Sequence, residues 1–151
     1  MASMRREISI RADPNTVWDA LREVGAIHRR LAPGFLTDVR LEEGARVVTF
    51  GNGLVARELI VDIDDEARRL AWSGIGGRMT HHNASAQVFR EGEGGSRFVW
   101  IADLLPHELA SGGAAMMDQG IAVIKRTLES QKTRGPTARA APPGHRSAAT
   151  G

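Results

Sequence analysis

Residues 96–131 read "SRFVWIADLLPHELASGGAAMMDQGIAVIKRTLESQ", and the hydrophobic period changes in the middle of the stretch. Up to Leu105 the residues Phe98, Trp100, Ala102 and Leu104 share one parity, the repeat of a β-strand with one apolar face. Beyond Pro106 the spacing becomes helical, with Leu109, Gly113, Met116, Met117, Gly120, Ile124 and Leu128 along one stripe that ends near Gln131. A strand is followed by a long amphipathic helix, and that helix has to lie on something.

Upstream, everything from Leu36 onward reads as strands. "LTDVRLEE", "RVVTFG", "LVARELIVDI", "RRLAWSGI" and "MTHHNASAQVF" precede the strand quoted above, separated by turn-formers such as "GNG", "DDEA", "GG" and "EGEGG". These links are too short for anything but antiparallel neighbours. Nearer the N-terminus, "REISIRA" alternates Ile8 and Ile10 with polar residues. Asp13 and Pro14 then cap a helix carrying Val17, Trp18, Leu21 and Val24, and "GAIHRRLAPG" predicts a short second helix. The predicted order is one strand, two helices, six strands and a long helix. A seven-stranded antiparallel sheet has one face to cover, and the last helix is the element large enough to cover it.

The helix "VWDAL", the hairpin "RELIVDIDDEARRLAW", the strand "GSRFVWIADLLP" and the closing "MMDQGIAVIKRTLE" together resemble the START-like (SRPBCC, helix-grip) superfamily, and within it the polyketide cyclase/dehydrase-like proteins. The resemblance covers roughly residues 6–131. It implies an α+β helix-grip fold, the sheet wrapped around the C-terminal helix, with an apolar cavity between them for a small hydrophobic molecule such as a polyketide, lipid or aromatic metabolite. Some members of the superfamily are cyclases or aromatases, and many only bind.

Composition narrows the chemistry. The chain has 151 residues and no cysteine, so thiolate metal sites, disulfides and cysteine nucleophiles are excluded. A net charge of +2 suggests a basic protein, yet residues 1–131 hold 16 basic against 18 acidic side chains, a net −2. The basic excess lies in 132–151, rich in Pro, Gly and Ala, which is expected to be a disordered tail after a single domain spanning 1–131. Nucleic acid is not an expected partner. No apolar run spans a bilayer and the N-terminus lacks a secretory apolar stretch, so a cytoplasmic monomer or homodimer is expected.

Alternation supplies the expected cavity lining. In "VARELIVDI" the parity of Val55, Leu59, Val61 and Ile63 is apolar and contains Arg57, which places Arg57 inward; a bulge would turn Glu58 inward instead. Trp72 on the next strand, with Phe98 and Trp100 on the last, would give flat walls or plain core. In "MTHHNASAQVF" the set Ala84, Ala86 and Val88 shares parity with His82, so His82 is expected inside and His81 in water. Opposite faces argue against a shared metal, and no cofactor is expected. The helix would contribute Met116, Met117, Gly120 and Ile124. Gly120 either leaves room above the sheet or marks a close contact. Trp18 is expected to pack its helix on the sheet rim, with no part in binding.

Two functional classes follow. In one, the chain binds or carries a hydrophobic molecule. In the other it is a cyclase-like enzyme, Arg57 polarising a carbonyl and His82 transferring a proton. A third, a protein-interaction module, would require an exposed patch that the sequence does not single out.

Overall fold

Asp13 opens the first helix with its own side chain, Oδ1 accepting the Asn15 N–H at 2.9 Å while Pro14 takes the first helical position. The computed structural model describes residues 2–133, and within them the predicted order holds. Strand β1 (Ala2–Ile10) leads into α1 (Pro14–Arg22) and α2 (Ile27–Arg30). Strands β2 (Leu36–Glu42), β3 (Ala45–Phe50), β4 (Val55–Asp64), β5 (Arg69–Ile75), β6 (His81–Glu91) and β7 (Gly95–Leu105) follow, and a short 3₁₀ turn leads into α3 (Ala110–Thr133). Helix α3 continues past the end expected at Gln131. The expected tail from 134 to 151 lies outside the described residues.

The seven strands form one antiparallel sheet in the order β1-β7-β6-β5-β4-β3-β2. Six are a meander, and β1 returns to pair with β7, from Ala2↔Leu104 to Ile10↔Ser96. The tight β6–β7 turn in "EGEGG" carries Gly92 at φ 63° and Gly94 at φ 72°, left-handed values that a side chain resists.

The core fills the concave side of the sheet. Val17 and Leu21 of α1, Ile27 of α2, Leu70, Val88 and Phe98 of the sheet, and Met117, Ile121, Ile124 and Leu128 of α3 are all buried there. Each such aliphatic or aromatic side chain contributes about 1.5–3 kcal/mol when removed from water. Helix α3 is fastened to β1 by polar contacts at its flank. Arg6 Nε donates to Asp118 at 2.6 Å, and Lys125 Nζ donates to the Ser9 carbonyl and, at 2.7 Å, to Glu129. Glu129 also accepts the backbone N–H of Arg11, and these donors, Lys125 foremost, hold its carboxyl down at about 2. Trp18 is buried as expected and reaches the β4–β5 turn, its indole N–H donating to Asp65 at 2.9 Å.

The expectation for β4 needs correction. Its pairing with β5 shifts between Ile60 and Asp62, so Val61 is left over at a bulge and the strand has opposite parity on either side of it. Before the bulge the inward residues are Ala56, Glu58 and Ile60; beyond it Ile63 pairs with the buried Leu70. A single alternation carried through the whole strand therefore put Arg57, Leu59 and Val61 on the wrong side.

Candidate functional site

The inner face can be followed row by row across the strands. One row runs Ile60, Trp72, Ala84, Ala102, Met4; a second runs Leu70, Ala86, Trp100, Arg6. The alanines Ala84, Ala86 and Ala102 form a flat floor between two indoles. Two inter-strand spacings and two residues separate Trp72 from Trp100, which puts their Cα atoms about 12 Å apart. The third row begins with Arg46, Glu58 and Gly74 and ends with His82 and Leu104.

That third row carries the charge. Arg46 Nε donates to Glu58 Oε1 at 2.8 Å, with both side chains buried. The guanidinium also reaches the Val24 carbonyl at 3.4 Å and lies 5.4 Å from the centroid of the Trp72 ring. A buried pair of this kind gains little over an apolar pair of the same shape, but losing one partner strands a charge. His82 leans toward Glu58 across Gly74, where a side chain on Gly74 would collide with the imidazole Nδ1. Burial pushes His82 below its ordinary 6.5; the nearby Glu58 acts the other way, and His81 adds to the lowering. The imidazole is neutral at pH 7, with one nitrogen able to accept a proton or hydrogen bond and the other to donate.

Three polar atoms on this face are buried without a hydrogen-bond partner among the described residues: Trp72 Nε1, Trp100 Nε1 and His82 Nδ1. His28 Nδ1 on α2 is a fourth. Buried donors and acceptors in this condition cost free energy, about 1–3 kcal/mol each, unless something meets them.

Sequence alternation places His82, Trp72, Ala84, Ala86, Phe98 and Trp100 inward, and so does the structure; His81 is exposed. Met117 and Ile124 of α3 are buried, while Met116 is half-buried at the rim. Three residues are displaced. Arg57 lies on the outer face, its Nε donating to Glu42 at 2.9 Å, which holds Glu42 below the usual carboxylate range. Leu59 is half-buried on that same outer face, and Val61 at the bulge is 64% exposed. The room expected over Gly120 is filled, because a Cβ there would meet the Phe35 ring at 2.9 Å and the Trp100 ring at 3.0 Å. Gly120 is a close contact, the alternative its position left open.

Phe35 was not singled out by the sequence. It comes from the loop before β2, stands edge-on to Phe50 with ring centroids 5.6 Å apart, and is half-buried against Gly120 of α3. A cleft of about 250 Å³ beside it is lined by Phe35, Phe50, Asn52, Met116 and Gln119. Arg46 and Gly74 were also missed, whereas Glu58 stands inward, the alternative to Arg57 that a bulge in this strand left open. The signal available for Gly74 was a lone glycine inside the strand "LAWSGI", a mark of close approach. Among the described residues no three His, Asp or Glu side chains gather into a metal-binding group, and no helix is long and apolar enough to cross a membrane.

A family model described as polyketide cyclase / dehydrase and lipid transport matches residues 1–133. No curated protein matches the chain. Among solved structures, a protein from Thermobifida fusca is 26% identical, with a TM-score of 0.73 over 89% of this chain and 95% of its own. A START superfamily protein from Mycobacterium smegmatis gives 0.66 at 9% identity, covering 89% and 99% of the two chains. A point mutant of norcoclaurine synthase from Thalictrum flavum, in complex with a transition-state analogue, gives 0.61 at 19%, covering 86% and 95%. The last two likenesses are of fold.

Proposed function

The chain belongs to the polyketide cyclase / dehydrase and lipid transport family, and on that premise we propose that it binds a small, hydrophobic, largely planar molecule beneath the inner face of its sheet. The observation that carries this reading is the set of orphaned polar atoms on one face: two indole N–H groups and one imidazole nitrogen around an alanine floor. Ala84, Ala86 and Ala102 are covered by core side chains, so a flat guest lying on them would displace that packing, offering its oxygens to the indole N–H groups and its apolar surface to Phe98, Met117 and Ile124. Entry runs past Phe35, from the cleft lined by Phe50 and Met116. Because Phe35 and Trp100 fill the space over Gly120, the guest enters only as the Phe35 ring moves aside.

One observation favours a second reading, that of a cyclase-type enzyme. His82 is a half-buried imidazole held below its ordinary 6.5 by burial and lying near the Glu58 carboxylate, which suits a group that takes a proton from a carbon next to a carbonyl. In that reading the carbonyl is polarised by an indole N–H in place of the outward-facing Arg57.

The test is a titration of the protein with a panel of planar aromatic ketones, quinones and lipid esters, read by tryptophan fluorescence. Of the three tryptophans, Trp18 is held by Asp65 and should not respond. Saturable quenching that is reduced in Trp72→Phe and in Trp100→Phe supports binding at this face. Quenching that survives both changes, or no saturable binding across the panel, overturns it. Turnover lost in His82→Gln with binding retained would select the enzymatic reading.

A further inference from the structure

Arg46 and Glu58 are the only charged side chains among the described residues that are buried. They face the interior, and they face each other at 2.8 Å. The guanidinium has further company in the Val24 carbonyl and the Trp72 ring. Arg6, on the same face under α3, is taken by Asp118. Among the described residues, no unpaired guanidinium or ammonium is left on this face to receive an anion. What does remain without a partner is two indole N–H donors and His82 Nδ1.

We infer that this interior takes an uncharged guest, one that presents carbonyl or ether oxygens to Trp72 and Trp100, and rejects the carboxylate of the same shape. The inference rests on the ligand-binding reading above and adds a charge rule to it. A carboxylate brought to this face would lose its water and gain two neutral donors, with no countercharge and with the Glu58 carboxylate close by. A ketone, quinone or ester loses far less water and gains the same two bonds. Free fatty acids are thereby excluded as guests, and neutral polyketones, quinones and esters are admitted.

The rule makes a second requirement. Neutralising Glu58 should turn Arg46 into a free buried cation, and the preference should move toward carboxylates.

The experiment uses matched probes at pH 8, where the acids are ionised: anthraquinone-2-carboxylate against its methyl ester, and laurate against methyl laurate. Binding is read by tryptophan fluorescence on the full chain and on Glu58→Gln, which keeps a hydrogen-bond acceptor for Arg46. In the unmodified protein each ester should bind about tenfold or more tighter than its acid, the scale expected for an unpaired buried charge. In Glu58→Gln the ratio should fall by about tenfold as the acid gains Arg46. Equal or tighter binding of the acids by the unmodified protein would overturn the charge rule and leave the ligand-binding reading standing. An unchanged ratio in Glu58→Gln would overturn the role given to Arg46. If neither acid nor ester binds, both readings fall together. Should Glu58→Gln not fold, the ester-to-acid ratio of the unmodified protein decides the matter by itself.

Discussion

The imidazole of His82 occupies the space that a side chain on Gly74 would need. The two residues sit on adjacent strands in the inward row that also holds Glu58, and the missing side chain on β5 is what lets the histidine lie flat against the sheet.

Gly74→Ala should therefore act through His82. The added methyl has to displace the ring, an overpacking that costs about 1–3 kcal/mol. In a His82→Ala background the same change should cost less than half as much, since the collision is gone. Urea denaturation of the four proteins measures this coupling. Additive losses would show that Gly74 is needed by something other than His82.

Arg46→Met alone strands the Glu58 carboxylate in the core, and Glu58→Met strands the guanidinium. Each single change should destabilise by roughly 3–5 kcal/mol, whereas the double change to Met at both positions should recover most of the loss. Equilibrium denaturation of the three variants is the measurement.

The pH dependence has a definite sign at His82. Its folded value lies below 6.5 because of burial, so the unfolded chain binds a proton more readily than the folded one as the pH drops past 6.5. Stability from this group is intact above 6.5 and is lost as pH falls from there toward the folded value. Melting temperatures taken between pH 7.5 and 5.5 should fall less steeply in His82→Gln than in the unmodified protein. Equal slopes would mean that His82 protonates as freely in the fold as in the unfolded chain.

Gly120→Leu should destabilise. Replacing the glycine gains about 1 kcal/mol of helix propensity, but the Phe35 and Trp100 rings already stand at 2.9 and 3.0 Å from the first atom to be added. Overpacking outweighs the gain once the whole side chain has to be placed. A raised melting temperature would mean that Phe35 leaves the interior without resistance.

The elements were legible because each has a local cause. Asp13 and Pro14 start α1, the glycines of "EGEGG" turn β6 into β7, and the period change at Pro106 separates strand from helix. His82, Trp72 and Trp100 were placed correctly because β5, β6 and β7 pair along their inward rows without interruption. β4 was misread because alternation assumes an unbroken pleat, and the leftover Val61 reverses the parity. Glu58 then takes the place assigned to Arg57, and its partner Arg46 on β3 goes unnoticed because a charged residue in an alternating strand reads as solvent-facing. Phe35 is a different case. Its position over Gly120 is decided by a loop, and no periodicity speaks for a loop.

The pairing of β1 with β7 also bears on how the chain folds. The meander from β2 to β7 can form hairpin by hairpin as each turn closes, but β1 must wait for a partner from the far end of the sequence. Closing so long a loop is entropically slow, and it raises the contact order of the whole domain. Until β7 is available, β1 offers unpaired backbone, and until β1 docks so does the open edge of β7, the kind of edge that pairs with other chains. On a ribosome, the sheet is completed only when the chain has been synthesised through Leu105, and α3, fastened to β1 through Asp118 and Lys125, is the last element to find its place.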